Sequence, residues 1–137
     1  MIYFTCDIAD ISHLNDSKTV WISWKQDFDD ANKYFLILSK AFVLLKDKGC
    51  ANWVSDLRKK RSLSIFETEW LRKYMLPQAI EHNVKKIAFI INHEDEEAVR
   101  MQAILRVTQD RLNLRFFYSE TDASEWIESR LTKPLIL

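Results

Sequence analysis

Glycine is almost missing from this chain, with Gly49 the only one in 137 residues. Loops that cradle phosphate need several glycines, because the backbone must come close to the oxygens with no Cβ in the way. Neither GxGxxG nor GxxxxGK[ST] is present, so P-loop hydrolysis and ordinary Rossmann dinucleotide binding are excluded. Cysteine is scarce too. Cys6 and Cys50 form no CxxC and no zinc-site spacing, and are expected as buried thiols in a reducing cytoplasm. Neither sign of charge is in excess, since 20 basic and 20 acidic side chains cancel. No global field draws the chain to nucleic acid or anionic membrane, so electrostatic recognition has to be local and no nucleic-acid partner is expected. The most apolar run, residues 34–45 (YFLILSKAFVLL), carries Lys40 and is too short to span a bilayer. The opening "MIYFTCDIAD" has no basic region followed by an apolar one, so no signal peptide is expected and a cytoplasmic location is.

What is present belongs to a globular protein, with 47% apolar and 29% charged residues. The absence of repeats and of Pro/Gly/Ser-rich linkers predicts a single domain over residues 1–137. "IYFTCDI" and "TVWISWK" alternate, and the polar "NDSK" before the second makes a turn, which predicts an antiparallel pair. Residues 27–49 predict a long helix capped by Asp27 or Asp29 and stopped by Gly49. The centre of that helix is apolar nearly all round, which predicts burial on more than one side, by the domain or by a second subunit. "CANWVSDL" predicts a short strand. Ser64-Ile65-Phe66-Glu67 has capping-box spacing and opens a helix to about residue 83, bent at Pro77. "VKKIAFIIN" reads as a strand covered on both faces, "EDEEAVRMQAILRVTQDRL" as a helix, "NLRFFYS" as a strand, and "SETDASEWIESRL" as a helix capped by Ser119. The order is ββαβαβαβα: an α/β domain with a mixed, mostly parallel five-stranded sheet and about four helices.

The block "LSIFETEWLRKYMLPQAIEHNVKKIAFII" followed by "RFFYSETDASEWIESRL" resembles the SpoIIAA-like branch of the STAS superfamily, the anti-sigma-factor-antagonist-like domains. The similar positions are Trp70, then Val84-Lys85-Lys86-Ile87-Ala88, then Phe117 and Tyr118 ahead of Ala123 and Trp126. The resemblance implies a non-enzymatic regulatory domain that works by protein–protein interaction, with no cofactor. It also implies a serine or threonine phosphoswitch in the loop after the third strand. That loop here is "DLRKKRSLS", which puts Ser62 and Ser64 near the switch position, although the family's Asp-Ser-Ser/Thr-Gly pattern is replaced by a basic run.

Arg58, Lys59, Lys60 and Arg61 make this loop the leading site. Two readings stand. The cations beside a helix start can bind an acidic partner, a small anionic ligand or a lipid headgroup. Alternatively they form a solvated loop, partly offset by Asp56 and Glu67. Ser64 is simplest as a cap, whereas Ser62 is the more accessible hydroxyl and a phosphate there would sit among the four cations. "HEDEE" (residues 93–97) lacks metal-ligand spacing and reads as acids favouring a helix start. His13, His82 and His93 are far apart and accompany no nucleophile motif. The five tryptophans are expected in the core, except Trp21, which faces away from Ile22 and with Tyr3 makes an outer apolar patch.

Overall fold

Alternation through the first 24 residues builds three strands, one more than expected. The computed structural model describes residues 1–28, 30–60, 63–106 and 113–129. In it β1 (Ile2–Thr5), β2 (Ala9–Leu14) and β3 (Thr19–Trp24) form an antiparallel meander. The strand expected over residues 2–8 ends early, because the Cys6 N–H donates to the Ala9 carbonyl at 3.0 Å and the chain turns. Ala9 and Ile11 on β2 are buried in the core, but Asp10, a residue disfavoured in strands, obscured the period. The expected direct pairing of the first strand with "TVWISW" is therefore corrected. β2 lies between them, setting Ile11 beside Ile22 and Ser12 beside Trp21. The "NDSK" turn is as expected, with Lys18 in the left-handed region at φ 51°.

From β3 onward the sheet grows in parallel through β4 (Asn52–Asp56), β5 (Lys86–Ile90) and β6 (Asn113–Phe117), in the order β1-β2-β3-β4-β5-β6. Parallel neighbours need crossovers, and helices supply them. These are α1 (Ala31–Lys48); a rod made of α2 (Ile65–Trp70), a π-helical turn (Leu71–Met75) and α3 (Leu76–Glu81); and α4 (Glu96–Leu105). All three pack on the sheet face that carries Ile11, Ile22, Trp53 and Phe89. The opposite face, with Val54, Ala88 and Ile90, is covered by α5 (Glu120–Glu128) through Ala123, Trp126 and Ile127. The domain is thus α/β, with a six-stranded mixed sheet rather than five strands and, counting the rod once, four helices among the described residues. No described helix is long and apolar enough to cross a membrane.

Local chemistry explains the ends. Asp30 caps α1, accepting from the Asn32 N–H at 2.9 Å, in place of the expected Asp27; Asp29 lies outside the described residues. Gly49 ends α1 at φ 60°, a left-handed conformation that suits a residue without a Cβ. Within the domain α1 buries one face, through Tyr34, Ile37, Leu38, Ala41, Leu44 and Leu45, while Leu36 and Val43 are exposed on this single chain. Pro77 lacks an N–H and would drive its ring into the carbonyl four residues back. The rod meets this by widening to a π turn just before it, where the Leu76 N–H reaches the Leu71 carbonyl. The helix then runs on to Glu81.

Candidate functional site

The basic loop leaves the carboxyl end of β4. Leu57 donates its N–H to the Ile90 carbonyl at 2.8 Å and buries its side chain, so the following residues are held against the domain. Arg58 then folds back on Asp56 as a fork, Nε to Oδ1 at 2.9 Å and Nη2 to Oδ2 at 2.7 Å, and reaches Glu120 Oε1 at 3.1 Å. The Asp56 hydrogen bond raises the guanidinium above its ordinary pKa. The Arg58 carbonyl accepts from Asn92 Nδ2 at 2.8 Å, tying the loop to the end of β5. Lys59 is exposed.

Lys60 is only 2% exposed, and Glu67 only 5%. The ammonium lies 3.2 Å from Glu67 Oε1, 4.7 Å from the Phe28 ring centroid and 5.6 Å from that of Tyr34. A charge can be buried when it is paired and hydrogen-bonded, and two aromatic faces add attraction. The same Glu67 carboxylate accepts from the Ser64 N–H at 3.0 Å, while Ser64 Oγ accepts from the Glu67 N–H at 3.0 Å. The expected capping box is therefore present, with its acid also serving Lys60. Burial, and then the Glu67 charge, raise the Tyr34 phenol well above its ordinary pKa of 10.0. Arg61 and Ser62 lie outside the described residues. Of the three described cations, then, Arg58 and Lys60 are engaged by carboxylates of the same domain and Lys59 faces solvent.

A second feature starts just after the loop. Phe66 is 65% exposed and Tyr74 58% exposed, with Trp70 half-buried between them. Successive spacings of four place the three on one side of the rod. Phe35 of α1 closes the row, stacked on Trp70 at 4.4 Å and edge-on to Phe66 at 5.8 Å, and Tyr74 follows Trp70 at 6.4 Å. Beside it, Lys73 is exposed, and Arg72 holds Glu69 at 2.8 Å. Large contiguous apolar patches are uncommon on protein surfaces that face water. Trp70, expected in the core, packs against it half-buried, and no expectation fell on Phe66 or Tyr74. The signal was the four-residue spacing of aromatics in "FETEWLRKY".

In "HEDEE", Asp95 Oδ1 accepts from the Glu97 N–H at 3.1 Å and caps α4. Among the described residues, no cluster of three His, Cys, Asp or Glu is placed to hold a metal. The three histidines stay apart: His13 is on β2, His82 packs against Phe42 at 5.4 Å, and His93 stacks on Tyr118 at 3.6 Å. Cys50 is buried, which pushes its thiol up, and Cys6 is half-buried; both are free thiols. Trp21 faces away from Ile22 as expected but packs against the cluster under α5, and β2 separates its strand from that of Tyr3. Lys86, read only as the entrance to a strand, is buried and donates to the Trp126 carbonyl at 2.7 Å, a cation set against the C-terminal end of α5. Burial, and then Arg115, lower its pKa.

No protein-family model, curated protein or solved structure matches the chain.

Proposed function

We propose that this chain is a non-enzymatic regulatory domain of the STAS-like type that acts in the cytoplasm by docking a protein partner. The observation that carries the proposal is the aromatic row of Phe66, Phe35, Trp70 and Tyr74 on the α1–rod surface, with its two end rings more than half exposed. Aromatic anchors of this kind dominate binding energy at protein interfaces. The sheet order also favours binding over a pocket chemistry. Ligand crevices in open α/β sheets form where the strand order reverses, and here it runs β1 to β6 without reversal.

The alternative, a small anionic ligand or lipid headgroup held by residues 58–64, has less behind it. Arg58 and Lys60 already have carboxylate partners, and binding an anion there would mean giving them up. Phosphate on Ser64 would displace the oxygen that caps α2. To test the docking proposal, a photo-crosslinking residue is placed at position 66 or 74 in the native cell. Protein adducts at 66 and 74, absent when the residue sits at exposed position 128 on α5, support it; equal labelling from all three positions, or none, overturns it.

A further inference from the structure

We propose that residues 130–137 (RLTKPLIL), which lie outside the described residues, form a strap across the uncovered half of the second sheet face. That face lies opposite α1 and the rod, so nothing in the proposal depends on the aromatic row. Among the described residues α5 is the helix on this face, and it packs on β4, β5 and β6. The β1–β2 side is left without a helix, and Trp21 of β3 is half-buried at the boundary. Residues paired directly across strands share a face, which places Asp10 with Ser23, Ser12 with Trp21 and Leu14 with Thr19 on this side. On β1 the register slips so that Ile2 opposes Ser12. Phe4 packs on the main core, so its neighbour Tyr3 faces the other way. The apolar side chains gather at one end of the uncovered half, where Ile2, Tyr3 and Leu14 are exposed beside Trp21. The other end is polar, with Asp10 bonded to Lys25 at 2.9 Å and accepting from Thr5 Oγ1.

The chain leaves α5 at the apolar end. Lys86, the first residue of β5, donates to the Ser129 carbonyl at 2.5 Å. Lys86 stands in register with Asn52 of β4, and Asn52 with Thr19 of β3, the partner of Leu14. Ile127 and Glu128 border a cleft with Asp16 and Ser17 of the β2–β3 turn, so residue 130 sets out beside that turn. Reach is sufficient. Eight extended residues span about 26 Å at 3.3 Å each, and β5 to β1 is four strand spacings, about 19 Å. The composition fits the surface. Leu131 is apolar, and Lys133 is followed by Pro134, Leu135, Ile136 and Leu137, whose burial against the patch removes apolar surface from water on both sides. Pro134 fixes its own φ and holds Lys133 to extended backbone, so less freedom is lost when the segment is laid down.

The test is NMR on the full chain. In uniformly labelled protein, NOEs are expected from the Leu135 or Ile136 methyls to the Trp21 ring and to Ile2 or Tyr3. In a mixture of labelled and unlabelled chains, filtered for contacts between copies, none is expected. Ile136→Asp, in the strap itself, should abolish the NOEs and shift the amide resonances of Ile2, Tyr3 and Trp21 while leaving those of Phe66 and Tyr74 in place. Leu14→Asp, at an exposed position of the patch, should abolish the same NOEs from the other side. NOEs in the filtered mixture would make the occupant a second copy and overturn the proposal. So would their absence from both samples, or Ile136→Asp shifts confined to Asp16 and Ser17 beside the exit.

Discussion

The basic loop and the aromatic row begin within ten residues of each other, and each occupies the environment that its residue type usually avoids. Lys60 sits in a closed box of carboxylate and rings, while Phe66 stands in water. Arg58 is likewise engaged with Asp56 and Glu120, so most of the described cationic run braces the domain. The difference teaches where to look for function. A buried, paired charge is a structural tie, whereas the more exposed end rings of the row, Phe66 and Tyr74, leave most of their surface to water. Glu67 follows Phe66 directly in α2, so the tie and the row meet at the first turn of that helix.

Separating stability from binding is the way to break that comparison. The largest effect is expected from Lys60→Met, which leaves Glu67 buried without its counter-charge. Urea unfolding should show a loss of about 3–5 kcal/mol. Adding Glu67→Leu should recover much of it, because replacing a buried pair by apolar residues is often neutral; a double variant no better than the single would mean that the pair is not what Lys60 contributes. Ser64→Ala should cost about 1 kcal/mol through loss of the cap, while Ser64→Asp keeps a good cap and should cost much less. A smaller effect appears in alkali. The folded state holds the Tyr34 phenol protonated above its ordinary 10.0, so as pH rises past 10.0 the unfolded chain binds fewer protons than the folded one and stability falls. Tyr34→Phe should flatten that part of the pH–stability curve, and an unchanged slope would remove Tyr34 from the buried cluster.

Features written in neighbouring residues were legible from the sequence. The capping box at Ser64 and Glu67, the Ser119 cap, the stop at Gly49 and the continuous apolar run of β5 all depend on residues a few positions apart. β2 was missed because Asp10 and Ser12, on the less covered sheet face, masked a period that only pairing with β3 makes evident. The burial of Lys60 was not legible either. It depends on Phe28 and Tyr34, some thirty residues upstream, and on a chain path that brings α1 over the loop. Lys86 is a similar case, since its partner carbonyls are 40 residues away or more. The aromatic row failed for another reason. A helical period shows that residues share a face, but it does not say whether that face meets the core or water.

The central claim is that the buried charge of Lys60 is structural and the exposed ring of Phe66 is not, and urea unfolding of Lys60→Met beside Phe66→Ser measures it directly. The expected result is a loss of 3 kcal/mol or more, in rough terms, for Lys60→Met, against about 1 kcal/mol or less for Phe66→Ser. Equal losses, or a larger one for Phe66→Ser, would contradict the account.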